Sequence, residues 1–319
     1  MKRVINLLVF VLLLNGCDDG NLTLETINFE DVATQSCSTN SIIYKLKERE
    51  ALLLEIPKTT FVNEPTVVGI PTVVEIDKTN RVVYRFYNGI VAVDNICNTI
   101  PPALPNVTDQ WTATSGKIQI ITTTITAPGS IAGSTKITGY NHNIAFSNIT
   151  FEKTNGTQVY QDFPFGNYIT SSTPLPFGFD KVVDQCPSSK QIYNHTSSEA
   201  LTIDAIDPAL IVNAETSLNT PRTGLIGSVT NKLTYRLYAG VLTDDYFCAA
   251  TVPTLPLISE EWNAVNGVSG VSGIIEVTTV KSGTSAFLHT IVIKNATLRK
   301  GNSSFKLGDV YIYGDLLTN

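Results

Sequence analysis

Apolar and polar positions alternate along residues 82–87. Val82, Tyr84 and Phe86 fall on one side of an extended chain, and Val83, Arg85 and Tyr87 fall on the other. A period of two is the strand signal. The pattern returns at 233–238, where Leu233, Tyr235 and Leu237 take the first side. That side is apolar in both places and is assigned to a core. Both runs lead to a glycine and then a cysteine at one spacing, Gly89 and Cys97 in the first, Gly240 and Cys248 in the second. The glycines suit a bulge or bend. Further strands are predicted over 51–56, 117–126, 142–151 and 158–165, with matching segments later, among them the β-branched run 273–280. Asn155-Gly156 and Ala127-Pro128-Gly129 mark turns at hairpin spacing. Residues 44–54 break the pattern. Lys45-Leu46-Lys47-Glu48-Arg49-Glu50 suits a helical turn, but the matching Tyr193-Asn194-His195-Thr196-Ser197-Ser198 does not, so a loop is expected there.

These matches belong to one long internal repeat. Phe29-Glu30-Asp31-Val32 and Cys37 align with Phe179-Asp180-Lys181-Val182 and Cys186. Glu50-Ala51-Leu52 aligns with Glu199-Ala200-Leu201, Pro102 to Pro105 with Pro253 to Pro256, and Trp111 with Trp262. His142 aligns with His289, Asn148 with Asn295, and Phe165-Gly166-Asn167 with Tyr313-Gly314-Asp315. The offset drifts only between 147 and 151, so insertions are small. A period this long indicates two tandem units, not a solenoid. The expected division is 29–170 for the first unit and 179–319 for the second. Between them 171–178, with its Ser-Ser-Thr-Pro-Leu-Pro run, reads as a short stiff linker. Many short strands per unit, and no sustained helical period, predict an all-β chain of two homologous β-sandwiches.

The N-terminus has its own pattern. Lys2-Arg3 precedes an apolar run from Val4 to Leu14, too short to span a bilayer, which ends in Leu14-Asn15-Gly16-Cys17. This resembles the signal and lipobox of bacterial lipoproteins. The resemblance implies a signal peptide over 1–16, lipidation of Cys17, and a tether over 17–28. Asp18-Asp19 directly after the cysteine resembles the surface-export signal of Bacteroidetes lipoproteins. It implies a body outside the cytoplasm, held at the outer membrane and facing outward by several acyl chains, each buried methylene adding ~0.8 kcal/mol.

With Cys17 acylated, four of the five cysteines remain, and four allow three pairings. The duplication selects Cys37 with Cys97 and Cys186 with Cys248, one bridge at the same place in each unit. A compartment outside the cytoplasm permits them. The formal net charge is -6 without a basic run, which leaves no electrostatic footprint for nucleic acid.

Motifs for catalysis are absent. No zinc-type spacing of His and Cys occurs, and neither a metal nor a cofactor is expected. The glycine-rich 267–273 lacks the Gly-Lys-Ser/Thr ending of a phosphate loop and reads as a mobile turn. No Gly-x-Ser-x-Gly elbow is present. His142 and His289 invite a metal or acid–base role, against the plainer role of a strand histidine satisfied by a neighbour. The acids Asp244-Asp245 and Glu260-Glu261 lack the alternation of a calcium loop and read as solvated surface.

The candidate ligand-binding residues are Trp111, Trp262, Arg85, Arg236, Tyr87 and Tyr238. Exposed, the tryptophans would stack on a sugar ring; buried, they would plug the core beneath the proline loops, and burial is the expected outcome. Arg85 with Tyr87, and Arg236 with Tyr238, would form a cation–π patch or ligand grip on the outer face. The plainer role of these arginines is to pair with carboxylates. The expectation is a non-catalytic binding or interaction module for a polysaccharide or an envelope protein. In architecture alone this resembles the tandem-sandwich glycan-binding lipoproteins of Bacteroidetes. A glycan hydrolase using loop carboxylates, or a structural assembly protein, are the competing classes. An active site should break the repeat.

Overall fold

A computed structural model describes residues 26–319. The leader, Cys17 and the acidic pair after it lie outside the described residues. The chain is almost entirely strand. The first half contains β1 (Gln35–Ser36), β2 (Ile42–Lys47), β3 (Glu50–Glu55), β4 (Thr72–Glu75), β5 (Arg81–Tyr87), β6 (Val107–Pro128), β7 (Thr135–Lys153) and β8 (Gly156–Ser171). The second contains β9 (Val182–Gln185), β10 (Ile192–His195), β11 (Glu199–Asp204), β12 (Arg222–Leu225), β13 (Lys232–Tyr238), β14 (Ile258–Ala264), β15 (Ile274–Ser282), β16 (Ala286–Lys300) and β17 (Ser303–Thr318).

Each half builds its own sheet, and the two sheets have one plan. The first runs β1-β2-β3-β5-β6-β7-β8, with β4 on β6. The second runs β9-β10-β11-β13-β14-β16-β17, with β12 on β15. The strands β14 and β15 together take the place of the long β6, parted by the glycine-rich 265–273. Backbone bonds fasten that segment: Gly267 N–H donates to Ile226, Val268 N–H to Ser272, and Gly273 N–H to Asn295.

The second sheet closes on itself. Strand β17 pairs in parallel with β9 through Asp315 and Leu316, and β14 meets β16 through Asn263 and Ala264. In the second half the layers of the sandwich-like fold are thus joined at two seams, while β12 there, and β1 and β8 in the first sheet, still end the strand order. Close approach at the parallel seam explains Gly314, which has φ 153°: a Cβ there would lie 2.3 Å from Val183 Cγ1. The aligned Asn148 and Asn295 share φ values of 51° and 50°, a left-handed conformation that asparagine tolerates better than most residues.

Two segments differ from expectation. Residues 44–54 are not a loop. Strands β2 and β3 pair from Ile42↔Glu55 to Lys47↔Glu50, and β10 and β11 do the same in the second half. The charged run misleads because Lys45 is buried, its ammonium donating to the Phe29 carbonyl at 2.8 Å and lying 5.9 Å over the Phe165 ring. Burial pushes its pKa down. Second, the bend expected at Gly89 is a bulge two residues earlier, between Phe86 and Tyr87, with its counterpart between Leu237 and Tyr238. The glycines serve contact instead: a Cβ at Gly89 or Gly240 would lie 3.3 or 3.0 Å from the Cβ of Pro105 or Pro256.

The bridges are Cys37–Cys97 and Cys186–Cys248, with Cα separations of 5.3 and 5.2 Å. Each pins a loop over the outer face of its sheet. In the first half that loop carries a single helical turn, Asp94–Cys97, and covers an apolar cluster of Leu53, Val83, Tyr87 and Ile96. The main cores lie inside the sheets, one around Leu52, Val82 and Trp111, the other around Leu201, Leu233 and Trp262. On β5 the predicted core side is only partly right: Val82 is buried, but Phe86 is 39% exposed.

Candidate functional site

Tyr87 and Tyr238 are not on open surface. Both are buried beneath the disulfide-pinned loops, so the outer-face pairing of each with its arginine gives no exposed cation–π patch. Burial pushes the Tyr238 pKa up, aided by a hydrogen bond to Tyr246. Arg85 is half-buried and donates to Gln110 Oε1 at 2.8 Å. Arg236 meets Glu261 at 2.7 Å. Burial alone would raise the Glu261 pKa, but hydrogen bonds from Arg236 and Asn263 outweigh it and hold the carboxyl below its usual range.

The tryptophans are packing residues. Trp111 and Trp262 are 2% and 4% exposed. Their indole N–H groups donate to Asp109 Oδ2 at 2.8 Å and Glu260 Oε2 at 2.9 Å. A lysine covers each ring, Lys153 at 4.7 Å and Lys300 at 5.8 Å. Trp, preceding acid and lysine form one motif used twice.

The repeated histidines are wired as neutral groups. Arg222 donates to Thr279 Oγ1 at 2.7 Å, so the Thr279 hydroxyl proton is free to point at His289 Nδ1, 2.8 Å away. On the other side Thr318 donates to Asn213 Oδ1, leaving its oxygen to accept from His289 Nε2–H at 2.9 Å. His142 makes the matching threonine contacts, with Thr122 at 2.9 Å and Thr170 at 3.1 Å, and Thr170 donates to Asn63. Burial pushes both histidines' pKa values down, helped at His289 by Arg222. Sequence reading named the histidines but not the flanking threonines, which lie on neighbouring strands. Among the described residues no cluster of His, Cys, Asp or Glu could hold a metal ion.

A cleft between the halves gathers residues from both of them. The β16–β17 turn reaches the first half, where Asn302 N–H donates to Glu64 Oε1 at 3.1 Å and its side-chain amide to the Pro65 carbonyl at 2.9 Å. The β6–β7 turn reaches back: Asp309 N–H donates to Ala132, and Lys306 N–H to Thr135 Oγ1. Between these fastenings lies a cleft of about 240 Å³. Its aromatic wall is Tyr140, Phe177, Trp262 and Phe305; Glu64, Lys136, Glu260 and Lys300 supply charge, and Ser172, Thr173 and Ser303 supply hydroxyls. Trp262 meets Phe305 edge-on at 5.1 Å, and Tyr140 and Ser303 share a hydrogen bond of 3.2 Å.

The linker places one wall of this cleft. Leu175 and Phe177 pack against the second core, and Phe177 stacks on Tyr235 at 4.6 Å. The carboxylate of Glu199, 1% exposed, holds the segment by accepting from Phe177 N–H, Gly178 N–H and Tyr235 OH. Two large apolar side chains within a proline-rich linker were the available signal for docking.

Comparisons with protein families, with curated proteins and with solved structures found no match. The cleft must therefore be read from its chemistry. Aromatic rings together with hydroxyls and both signs of charge in one lining suit a polar ligand that also has apolar faces. Both carboxylates are already engaged, Glu64 by Asn302 and Glu260 by Trp262 and by Lys300 at 3.3 Å.

Proposed function

We propose that this chain is a non-catalytic binding module that takes a polysaccharide segment in the cleft between its halves. The observation that carries the reading is the composition of that cleft, which gathers tyrosine and phenylalanine rings with serine and threonine hydroxyls and two lysines. Sugar rings stack their C–H faces on aromatic rings while their hydroxyls exchange hydrogen bonds with such groups. The engagement of both carboxylates disfavours the hydrolase alternative, since a general acid must reach the glycosidic oxygen. Anchoring through acylated Cys17 on the outward leaflet rests on the sequence pattern. It would hold the cleft where envelope and environmental glycans are met.

The test is retention of the full chain on a polysaccharide array. Binding should fall on changing Lys136 to Gln or Lys300 to Gln, with folding checked by thermal melting. Retention on no glycan, combined with capture of an envelope protein that depends on the same lysines, would replace the reading with protein binding. Labelled fatty acid should enter the native chain but not a Cys17→Ser variant; equal incorporation would reject the anchor.

A further inference from the structure

The outer face of the second half departs from the repeat at a point where the first half is filled. In the first half Leu53 lies between Tyr44 and Val83 on adjacent strands, with Ile42 and Ile96 against it, all beneath the disulfide-pinned loop. The same register in the second half puts Thr202 between Tyr193 and Thr234. Gln191 takes the place of Ile42. Three branched apolar side chains, Leu53, Val83 and Ile42, are matched by the polar Thr202, Thr234 and Gln191, and the packing under the loop has opened. A cleft of about 270 Å³ results, lined by Thr202, Asp204, Arg236, Tyr246, Phe247 and Glu261 among others.

One residue of its lining has a polar atom without a partner. Thr202 is 1% exposed, and its hydroxyl makes no hydrogen bond. A buried hydroxyl in that state is costly, and a native protein that keeps one invites an explanation. The charged groups nearby are already committed: Arg236 pairs with Glu261, and Asp204 accepts from the Gln191 amide. With two carboxylates and one guanidinium, the cleft has no free cation for an anionic ligand. It offers unused lone pairs, one unmade hydroxyl bond and aromatic walls. Phe247 is stacked on Tyr193 at 4.5 Å, and Tyr246 stands edge-on to Tyr238 at 5.3 Å, so the walls are held in place.

We infer that this cleft is a second ligand site, for a single neutral sugar residue whose hydroxyl completes the Thr202 hydrogen bond. Its volume of about 270 Å³ lies just below the ~300–1,000 Å³ span of small-molecule sites, which suits one ring and not a long chain. The site stands apart from the cleft between the halves and does not depend on the reading of that cleft.

The experiment is an amide NMR titration of the full chain with the methyl glycosides of glucose, galactose, mannose and N-acetylglucosamine, and with glucuronate as the anionic counterpart. Thr202 and Phe247 resonances should shift saturably with at least one neutral glycoside and not with glucuronate. Thr202→Val keeps the shape, removes the hydroxyl, and should weaken that binding roughly tenfold, the effect of losing one buried hydrogen bond. Thr202→Leu, which restores the filling of the first half, should abolish it. No shift with any of the four glycosides, equal binding of glucuronate, or unchanged affinity in Thr202→Val would overturn the inference. Shifts confined to Trp262 and Phe305 would also overturn it, while supporting the site between the halves.

Discussion

Glu199 and Glu50 occupy the same place in the repeat, yet their removal should have unequal effects. Glu199 is buried and accepts three hydrogen bonds, from Tyr235 OH at 2.8 Å, Phe177 N–H at 3.0 Å and Gly178 N–H at 2.6 Å. Glu50 is half-buried and accepts from Tyr84 OH at 3.1 Å. Glu199→Ala strands three donors, each costing roughly 1–3 kcal/mol when left buried and unpaired. The gross loss is therefore about 3–9 kcal/mol. Relief from burying a carboxylate returns several kcal/mol of that. A net loss of about 3 kcal/mol is expected, and below about 1 kcal/mol for Glu50→Ala, where solvent already competes. The two tryptophans, one per half, supply the assay. In a Trp111→Phe background the fluorescence reports Trp262 and the second half; in a Trp262→Phe background it reports the first. Urea midpoints then give each half separately. If Glu199→Ala costs no more than Glu50→Ala, the linker is not held by this carboxylate.

Three other outcomes follow from the same geometry. Removing Cys37–Cys97 or Cys186–Cys248 by paired serine substitution should destabilise its own half by ~4 kcal/mol, the chain-entropy value for loops with separations of 60 and 62, and non-reducing peptide mapping should find these two links alone. Since burial lowers the folded pKa values of His142 and His289, their contribution is fully present above the ordinary histidine pKa and is lost as pH falls through the folded values. The urea midpoint should therefore drop on acidification from about pH 7 toward about pH 5, less steeply in His289→Gln; an identical pH profile would reject the neutral wiring. Without sugar, Thr202→Val should leave the second half equally stable or raise it by roughly 1 kcal/mol, because it deletes an unpaired buried hydroxyl. A drop of more than that amount would mean the hydroxyl is bonded.

The duplication made much of the fold legible. It singled out the cysteine pairing, because only one of three pairings puts a bridge at the same place in each half. The alternation at 82–87 and 233–238 located the central strands, and the tryptophans' presence in both halves pointed to burial. Reading failed where tertiary contacts override local pattern. The charged run around Lys45 forms a strand because its ammonium finds a buried carbonyl. Tyr87 and Tyr238 are covered by loops whose path depends on bridges distant in sequence. Neither cleft had a local signature. One forms only when two turns and a docked linker meet. The other arises from what is absent at position 202 relative to position 53.

Those failures separate two kinds of residue. The wired histidines, the Trp–acid–Lys sets and the disulfides occur in both halves with the same partners. Selection for a stable sheet acts on both copies alike, so such features are accounted for by folding alone. Ligand recognition has no reason to act twice. It should leave marks where aligned positions diverge in chemistry while the backbone register holds. By that criterion the first places to look for a ligand are Thr202, Thr234 and Gln191, against Leu53, Val83 and Ile42, and the junction where Phe177 meets Tyr140. The doubled sheet is then a frame on which those divergent places are the first targets for any search for a ligand.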